Sequence, residues 1–360
     1  MRQFRLNRVT LIKYGVVFMV FLIALNYVAS RLQNRQKVEE VPIEEPVLNT
    51  DFSLNIEISE DGECIYNPGS SQGYRYGPSM LINDDGSIDA FFSRPGNNGS
   101  MWDYISYRHM DPDGTWGSEE VVLRPTSGGL DGHSVCDPGV IYFDGYYYIG
   151  YTGTVNGEGL ANQVFVARSA YVDGPYEKWN GAGWGGSPEP IIRYEGPSIY
   201  WGAGEISFVV DEDDNSMLCY YSWKDENEDS MRCSKVDLCE DWPSTIRFKC
   251  ISFYKDDREC SSDVVYLKDL DLYLAFSMGK RMTDDPRVLV HYSKDGKVFE
   301  YYDRYKDVIM PYAHNMGISK HLDGSISFDD VLYIAYAYSD DNKWGRWKTY
   351  LQRISIGSVE

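Results

Sequence analysis

Positive charge is scarce in this chain. Its 360 residues carry 34 Lys and Arg against 55 Asp and Glu, a formal net charge of −21. That balance repels nucleic acid and anionic membrane surfaces at long range, so polyanionic partners are excluded and a neutral or cationic substrate is favoured. The same acidity also serves plain solubility. Ala-rich and Leu-rich amphipathic stretches are lacking too, which counts against a helical fold. Zinc spacing is missing: seven Cys occur without a Cys-x-x-Cys or a Cys/His cluster. An odd count leaves at least one thiol over if the rest pair. Cys219 with Cys233, or Cys239 with Cys250, could close local disulfides in an oxidising compartment; small buried thiols are the alternative.

One long uncharged apolar run occurs, at residues 14–30, behind a leader carrying Arg2, Arg5, Arg8 and Lys13. Its length is at the short end for a membrane span, and the basic leader predicts a cytoplasmic tail over 1–13. The expectation is a single-pass transmembrane signal anchor in the cell membrane with the bulk of the chain outside. Val28-Ala29-Ser30 supplies the small residues of a cleavage site, so a secreted protein is the competing reading. Residues 31–50 are polar, contain Pro42 and Pro46, and read as an extended stalk before a folded domain over 51–360.

What the chain has in abundance is 30 Tyr, 14 Phe, 9 Trp and 33 Gly, a composition of strands and tight turns. Residues 136–153, CDPGVIYFDGYYYIGYTG, join two β-rich runs by Asp144-Gly145, a strong hairpin signal because a type I′ turn needs positive φ at both central positions. Similar hairpins recur at 76–96, 204–223, 261–279 and 314–338. Third strands follow at 103–110, 163–170 and 287–293, with Asp-Gly turns after them that resemble sialidase Asp-boxes and read as structural. The fifth copy ends after a third strand at 351–356, and residues 52–58 can supply its missing outer strand, closing the ring and removing open sheet edges. The predicted fold is all-β: a five-bladed β-propeller after an N-terminal transmembrane anchor.

The first residue of each inner strand points into the central cavity. That slot holds Gly77, Asp137, Glu205, Ser261 and Asn315, so two carboxylates from adjacent blades meet over one funnel, the machinery of glycosidic cleavage. With Asp-Pro-Gly-Val-Ile at 137–141, WGAGEISFVV at 201–210 and HNMGIS at 314–319, the chain from about residue 60 onward resembles the five-bladed propeller glycoside hydrolases around family 43, which act on arabinose-, xylose-, fructose- or galactose-containing glycans. The resemblance implies three acids and inversion: a blade-one Asp as base, Asp137 as the residue that tunes pKa, and Glu205 as proton donor. Blade one departs from the pattern with Gly77. Asp263 on a channel strand, or Asp131 in the loop entering blade two, are the substitutes. Glu195-Gly-Pro matches the donor motif of some relatives, but the repeat register favours Glu205. His314 stands where relatives hold an axial calcium; no cofactor is required, and structural calcium is left open.

Sugar faces stack on aromatic rings, for which Trp102, Trp201, Trp223 and Trp344 are candidates. Arg75 and Arg94 could fork onto hydroxyls, a carboxylated sugar or phosphate, and His133 lies beside Asp131. The expected function is a glycoside hydrolase on plant or microbial glycans. A carbohydrate-binding propeller without catalysis, or a phosphorylase whose phosphate explains Gly77, are the alternatives. Expected partners are an oligo- or polysaccharide and the membrane through the N-terminal helix, with no nucleic acid and no obligate protein partner.

Overall fold

The computed structural model describes residues 52–67, 73–96, 102–211, 213–256 and 258–359. The expected tail, anchor and stalk lie outside the described residues. Among the described residues no helix is long and apolar enough to cross a membrane.

Five four-stranded antiparallel blades form the domain. Blade one is Tyr76–Ile82, Ile88–Pro95, Asp103–Met110 and Glu120–Leu123. Blade two is Ser134–Phe143, Tyr146–Thr154, Gln163–Ser169 and Glu177–Lys178; blade three is Gly202–Asp211, Ser216–Lys224, Asp229–Asp237 and Arg247–Tyr254. Blade four runs Cys260–Leu267, Leu272–Gly279, Arg287–Ser293 and Glu300–Tyr305. In blade five, His314–His321, Leu332–Tyr338 and Lys348–Ser358 are completed by Leu54–Tyr66 from the other end of the domain, with Ile56 opposite Ile356. The ring therefore closes as the repeat requires, and the propeller leaves no unpaired edge at its seam.

The blades pack through β-branched and aromatic side chains. Val140, Ile141, Ile149 and Tyr151 of blade two are fully buried, as are Phe208 and Tyr220 of blade three. Contact between blades is close enough to exclude a side chain at two inner-strand positions. A Cβ on Gly139 would lie 1.9 Å from the Ile206 carbonyl oxygen, and one on Gly317 would lie 2.0 Å from that of Pro78. Asp144 and Gly145 take φ of 49° and 79°, the left-handed pair that the turn dipeptide predicts.

Each inner strand breaks register with its partner at the same place, after Tyr76, Cys136, Gly204, Cys260 and His314. The residue inside the break has positive φ in all five: Gly77 58°, Asp137 48°, Glu205 51°, Ser261 32° and Asn315 44°. A bulge of this kind takes one residue out of the strand alternation and re-aims its side chain. Gly, Asp and Asn accept the conformation readily, whereas Glu205 holds it at a cost of about 1 kcal/mol or more. The amides released by the bulges are capped from the preceding blade: Asp137 N–H donates to Ser93 Oγ at 2.8 Å and Glu205 N–H to Thr152 Oγ1 at 2.9 Å.

The expected disulfides are not the pairs that the sheet brings together. Cys219 stands opposite Ser234 on the next strand, and on the other side of that strand Cys233 stands opposite Cys250. All seven Cys are free thiols.

Candidate active site

A funnel of about 670 Å³ opens on one face of the propeller and narrows into the axial channel at the five bulge residues. That volume suits a short oligosaccharide. Trp102, Trp201, Trp344, Tyr74 and Tyr76 supply its aromatic wall, and Asp103, Asp137, Glu158 and Glu205 line it with carboxylates.

Asp137 and Glu205 meet at the neck. Asn315 Nδ2 donates to Asp137 Oδ1 at 3.1 Å and to Glu205 Oε1 at 3.3 Å. One amide nitrogen thus bridges the two carboxyls. Glu205 Oε2 accepts from Ser222 Oγ at 2.5 Å and from the Ser261 amide at 3.0 Å, with Lys255 Nζ at 3.5 Å. Burial pushes the Glu205 carboxyl up, but Lys255, the Ser222 hydroxyl, Arg281 and the Ser261 amide outweigh it and hold the group below the usual carboxylate range. Asp137 has no cation of its own. Burial, and then the negative charge of Glu205, lift it to about 7. Two carboxyls in this relation share one proton near neutrality, and the proton rests on Asp137. The cations beside Glu205 thus favour its carboxylate, whereas the resemblance expects it to carry the donated proton.

Neither expected substitute for the blade-one base is available. Asp263 lies deeper in the channel, with Oδ1 bonded to Lys320 Nζ at 2.6 Å and to Ser207 Oγ at 2.7 Å, while Oδ2 caps the Ile318 amide at 3.0 Å. Lys320 is itself fully buried, so this ion pair neutralises the channel and ties blades three, four and five together. Asp131 is fully buried away from the funnel, paired with Lys178 and bonded by Tyr151 and the Thr126 amide. Glu195 stands in an exposed loop, as the register predicts.

The expected binding residues divide. Trp102, Trp201 and Trp344 line the funnel. His133 supports the first of them, its ring edge-on to Trp102 at 4.9 Å and its carbonyl accepting the Trp102 amide at 3.0 Å. Trp223 does not reach the funnel; its ring lies under Arg232 at 3.8 Å and its Nε1 donates to Asp225 at 2.9 Å. Arg75 and Arg94 are both spent on Glu119, with Arg75 also stacked on Tyr66 at 4.1 Å, so neither is offered to a substrate or to phosphate. His314 is buried with its ring 4.1 Å from Trp347 and 5.9 Å from Tyr76, and burial and Arg281 push it down to about 3; among the described residues no three His, Cys, Asp or Glu side chains gather to hold a metal. Calcium asks for six to eight oxygens.

Four groups at the site escape a reading of the sequence. Asn315 was visible as the fifth slot residue, though without a role. Lys255 and Arg281 come from loops with no local pattern. Asp103 opens the third strand of blade one, accepting hydrogen bonds from Tyr74, from Tyr76 at 3.0 Å and from Ser134 at 3.0 Å, and burial raises its pKa.

The chain matches no protein-family model and no curated protein sequence. Solved structures do resemble it. A family 117 glycoside hydrolase of the marine bacterium Zobellia galactanivorans shares 15% identity at a TM-score of 0.59, over 85% of this chain and 91% of that one. The catalytic domain of a family 62 α-L-arabinofuranosidase of Coprinopsis cinerea shares 15% at 0.59, over 84% and 97%. An α-L-arabinofuranosidase of Podospora anserina, solved with cellotriose, shares 12% at 0.55, over 85% and 97%. At these identities the likeness is one of fold, and it spans nearly the whole propeller of each.

Proposed function

We propose that this chain is a glycoside hydrolase acting through Asp137 and Glu205. The observation that carries the reading is the carboxyl pair itself, two acids bridged by Asn315 at the neck of an aromatic-walled funnel. Glycosidic cleavage needs one carboxyl to protonate the leaving oxygen and another to act at the anomeric carbon. Glu205 pays for a strained backbone to sit there, which a purely structural residue would have no reason to keep.

The substrate is an oligo- or polysaccharide of arabinose-, xylose-, galactose- or fructose-type residues. Trp102, Trp201 and Trp344 offer stacking faces, and the acidic side chains on the wall favour an uncharged sugar over a uronate. Two of the fold neighbours are α-L-arabinofuranosidases, which supports arabinofuranosyl glycans as the first to try. Delivery to the outside of the cell membrane by an anchor at 14–30 rests on the sequence alone.

The test is to incubate the full-length protein with aryl glycosides of these sugars and with arabinoxylan, xylan, galactan and fructan, and to measure released sugar. Release by the wild type and its loss in Glu205→Gln are expected. Binding to a glycan without release, or release undiminished by Glu205→Gln, overturns the reading.

A further inference from the structure

Acidic groups crowd the funnel, and one cation stands among them. Of the described residues that line it, Asp103, Asp137, Glu158 and Glu205 are acidic and Arg281 alone is basic. The other cations near the site are paired: Arg75 and Arg94 with Glu119, Lys178 with Asp131, Lys320 with Asp263, and Lys255 with Glu205. No carboxylate among the described residues lies within ion-pair distance of Arg281. Glu205 feels its charge, and the hydrogen bond its guanidinium makes inside the protein goes to the Cys260 sulfur.

The backbone shows how firmly this side chain is aimed. Arg281 sits in the turn between Leu272–Gly279 and Arg287–Ser293 of blade four, with Lys280 before it at φ 48° and Met282 after it at φ 57°. Both neighbours carry a Cβ, so the left-handed backbone is unfavourable and persists because its surroundings hold it. Arg281 N–H donates to the Arg258 carbonyl at 3.0 Å, Met282 N–H to that of Ala313 at 2.9 Å, and Asn342 Nδ2 to the Met282 carbonyl at 3.2 Å. The chain entering blade four, the chain entering blade five and the rim loop that carries Trp344 all grip this turn. A half-buried guanidinium is thereby fixed at the funnel wall before any ligand arrives.

A guanidinium is a donor fork with no acceptor, and its planar geometry addresses two oxygens at once. The acidic wall repels an anionic ligand, which leaves uncharged oxygens, the hydroxyls of a sugar, as partners for the fork. Building on the glycoside hydrolase reading, we propose that Arg281 is a substrate-binding, specificity-determining residue whose guanidinium holds two adjacent hydroxyls of the sugar unit seated against Asp137 and Glu205. A site built to bond hydroxyls rejects a sugar that lacks one, because the buried donor is then left unpaired. Arabinose-, xylose- and galactose-type units differ in how their hydroxyls are directed, so one fixed fork discriminates among them.

The experiment uses the wild-type, full-length protein and its Arg281→Lys and Arg281→Met variants, with whichever aryl glycoside of the panel is cleaved and with each monodeoxy form of that glycoside. Wild-type kcat/KM should fall about 10–100-fold when either of two adjacent hydroxyls is missing, the loss of a hydrogen bond to a charged group. Both variants should lose about as much on the parent glycoside and little further on those two deoxy forms. Arg281→Lys keeps the charge without the fork, so it should leave the acidic limb of the kcat/KM profile unmoved. A wild type that cleaves every monodeoxy form as fast as the parent overturns the proposal with no variant needed. So does an Arg281→Lys loss of equal size on the parent and on all deoxy forms, the mark of a residue that acts through the fold or through the charge of Glu205. Either result leaves the hydrolase reading intact, since cleavage by the wild type stands. Absence of any cleavage overturns the hydrolase reading and this proposal with it.

Discussion

Asp137→Asn should make the protein more stable, and only above acidic pH. In the folded protein burial and the Glu205 charge raise the Asp137 carboxyl from 3.8 to about 7. At 1.36 kcal/mol per unit, ionising it in the native state costs about 4 kcal/mol more than ionising it in the unfolded chain. The native state binds this proton more tightly than the unfolded chain does. The group's contribution to stability is therefore intact below about pH 4, falls between pH 4 and 7, and is gone above pH 7. Asn removes the charge at constant size, but its NH₂ loses part of the bond with Asn315, costing about 1 kcal/mol. A net gain of about 2–4 kcal/mol above pH 7 remains. For a domain of about 310 residues, whose unfolding entropy is about 0.6 kcal/mol per kelvin, this is a rise in Tm of about 3–6 °C. Calorimetric melts of wild type and variant at pH 4.5, 6 and 8 read it directly. The Tm difference should be near zero at pH 4.5 and grow with pH; a constant difference, or a variant less stable at pH 8, refutes the coupling of the two carboxyls.

Three other outcomes follow from neighbouring contacts. Lys255→Met takes away the nearest cation from Glu205, so the carboxylate becomes harder to form and the acidic limb of the kcat/KM profile should move to higher pH; an unmoved limb would show that Lys255 does not set the Glu205 charge. Lys320→Met strands Asp263 as an unpaired charge in the channel and should cost about 3–5 kcal/mol, most of it recovered by the double variant with Asp263→Leu; denaturant unfolding of the pair checks this. Cys233 and Cys250 are cross-strand neighbours whose thiols donate toward the adjacent carbonyls of Gly296 and Lys297, so oxidised glutathione should link them, with peptide mapping finding that bridge and none from Cys219.

The parts of this molecule legible in the sequence are those that the repeat enforces. Gly77, Asp137, Glu205, Ser261 and Asn315 align because every inner strand carries the same bulge, and a one-dimensional register finds a feature that recurs at one place in each copy. Closure by Leu54–Tyr66 was legible for a related reason, since a ring one strand short needs a strand from somewhere. Charge partners were not legible. Asp263 has the strand position of a channel-facing acid, but Lys320 neutralises it from 57 residues away; Arg75 and Arg94 flank the first hairpin as binding arginines would, and Glu119 claims both from beyond the third strand. Lys255 reaches Glu205 from the connection that leaves blade three and Arg281 from a loop of blade four, and no periodicity points to a loop side chain. Protonation followed the same rule: which carboxyl keeps the proton depends on cations that only the fold brings near.

The central claim is that Asp137 and Glu205 together cleave a glycosidic bond, and initial rates of sugar release test it most directly. On the best aryl glycoside of the panel, Glu205→Gln should lower kcat by about 10³-fold or more with KM little changed, because Gln keeps the shape and loses the charge. A Glu205→Gln protein that releases sugar at the wild-type rate would contradict the account.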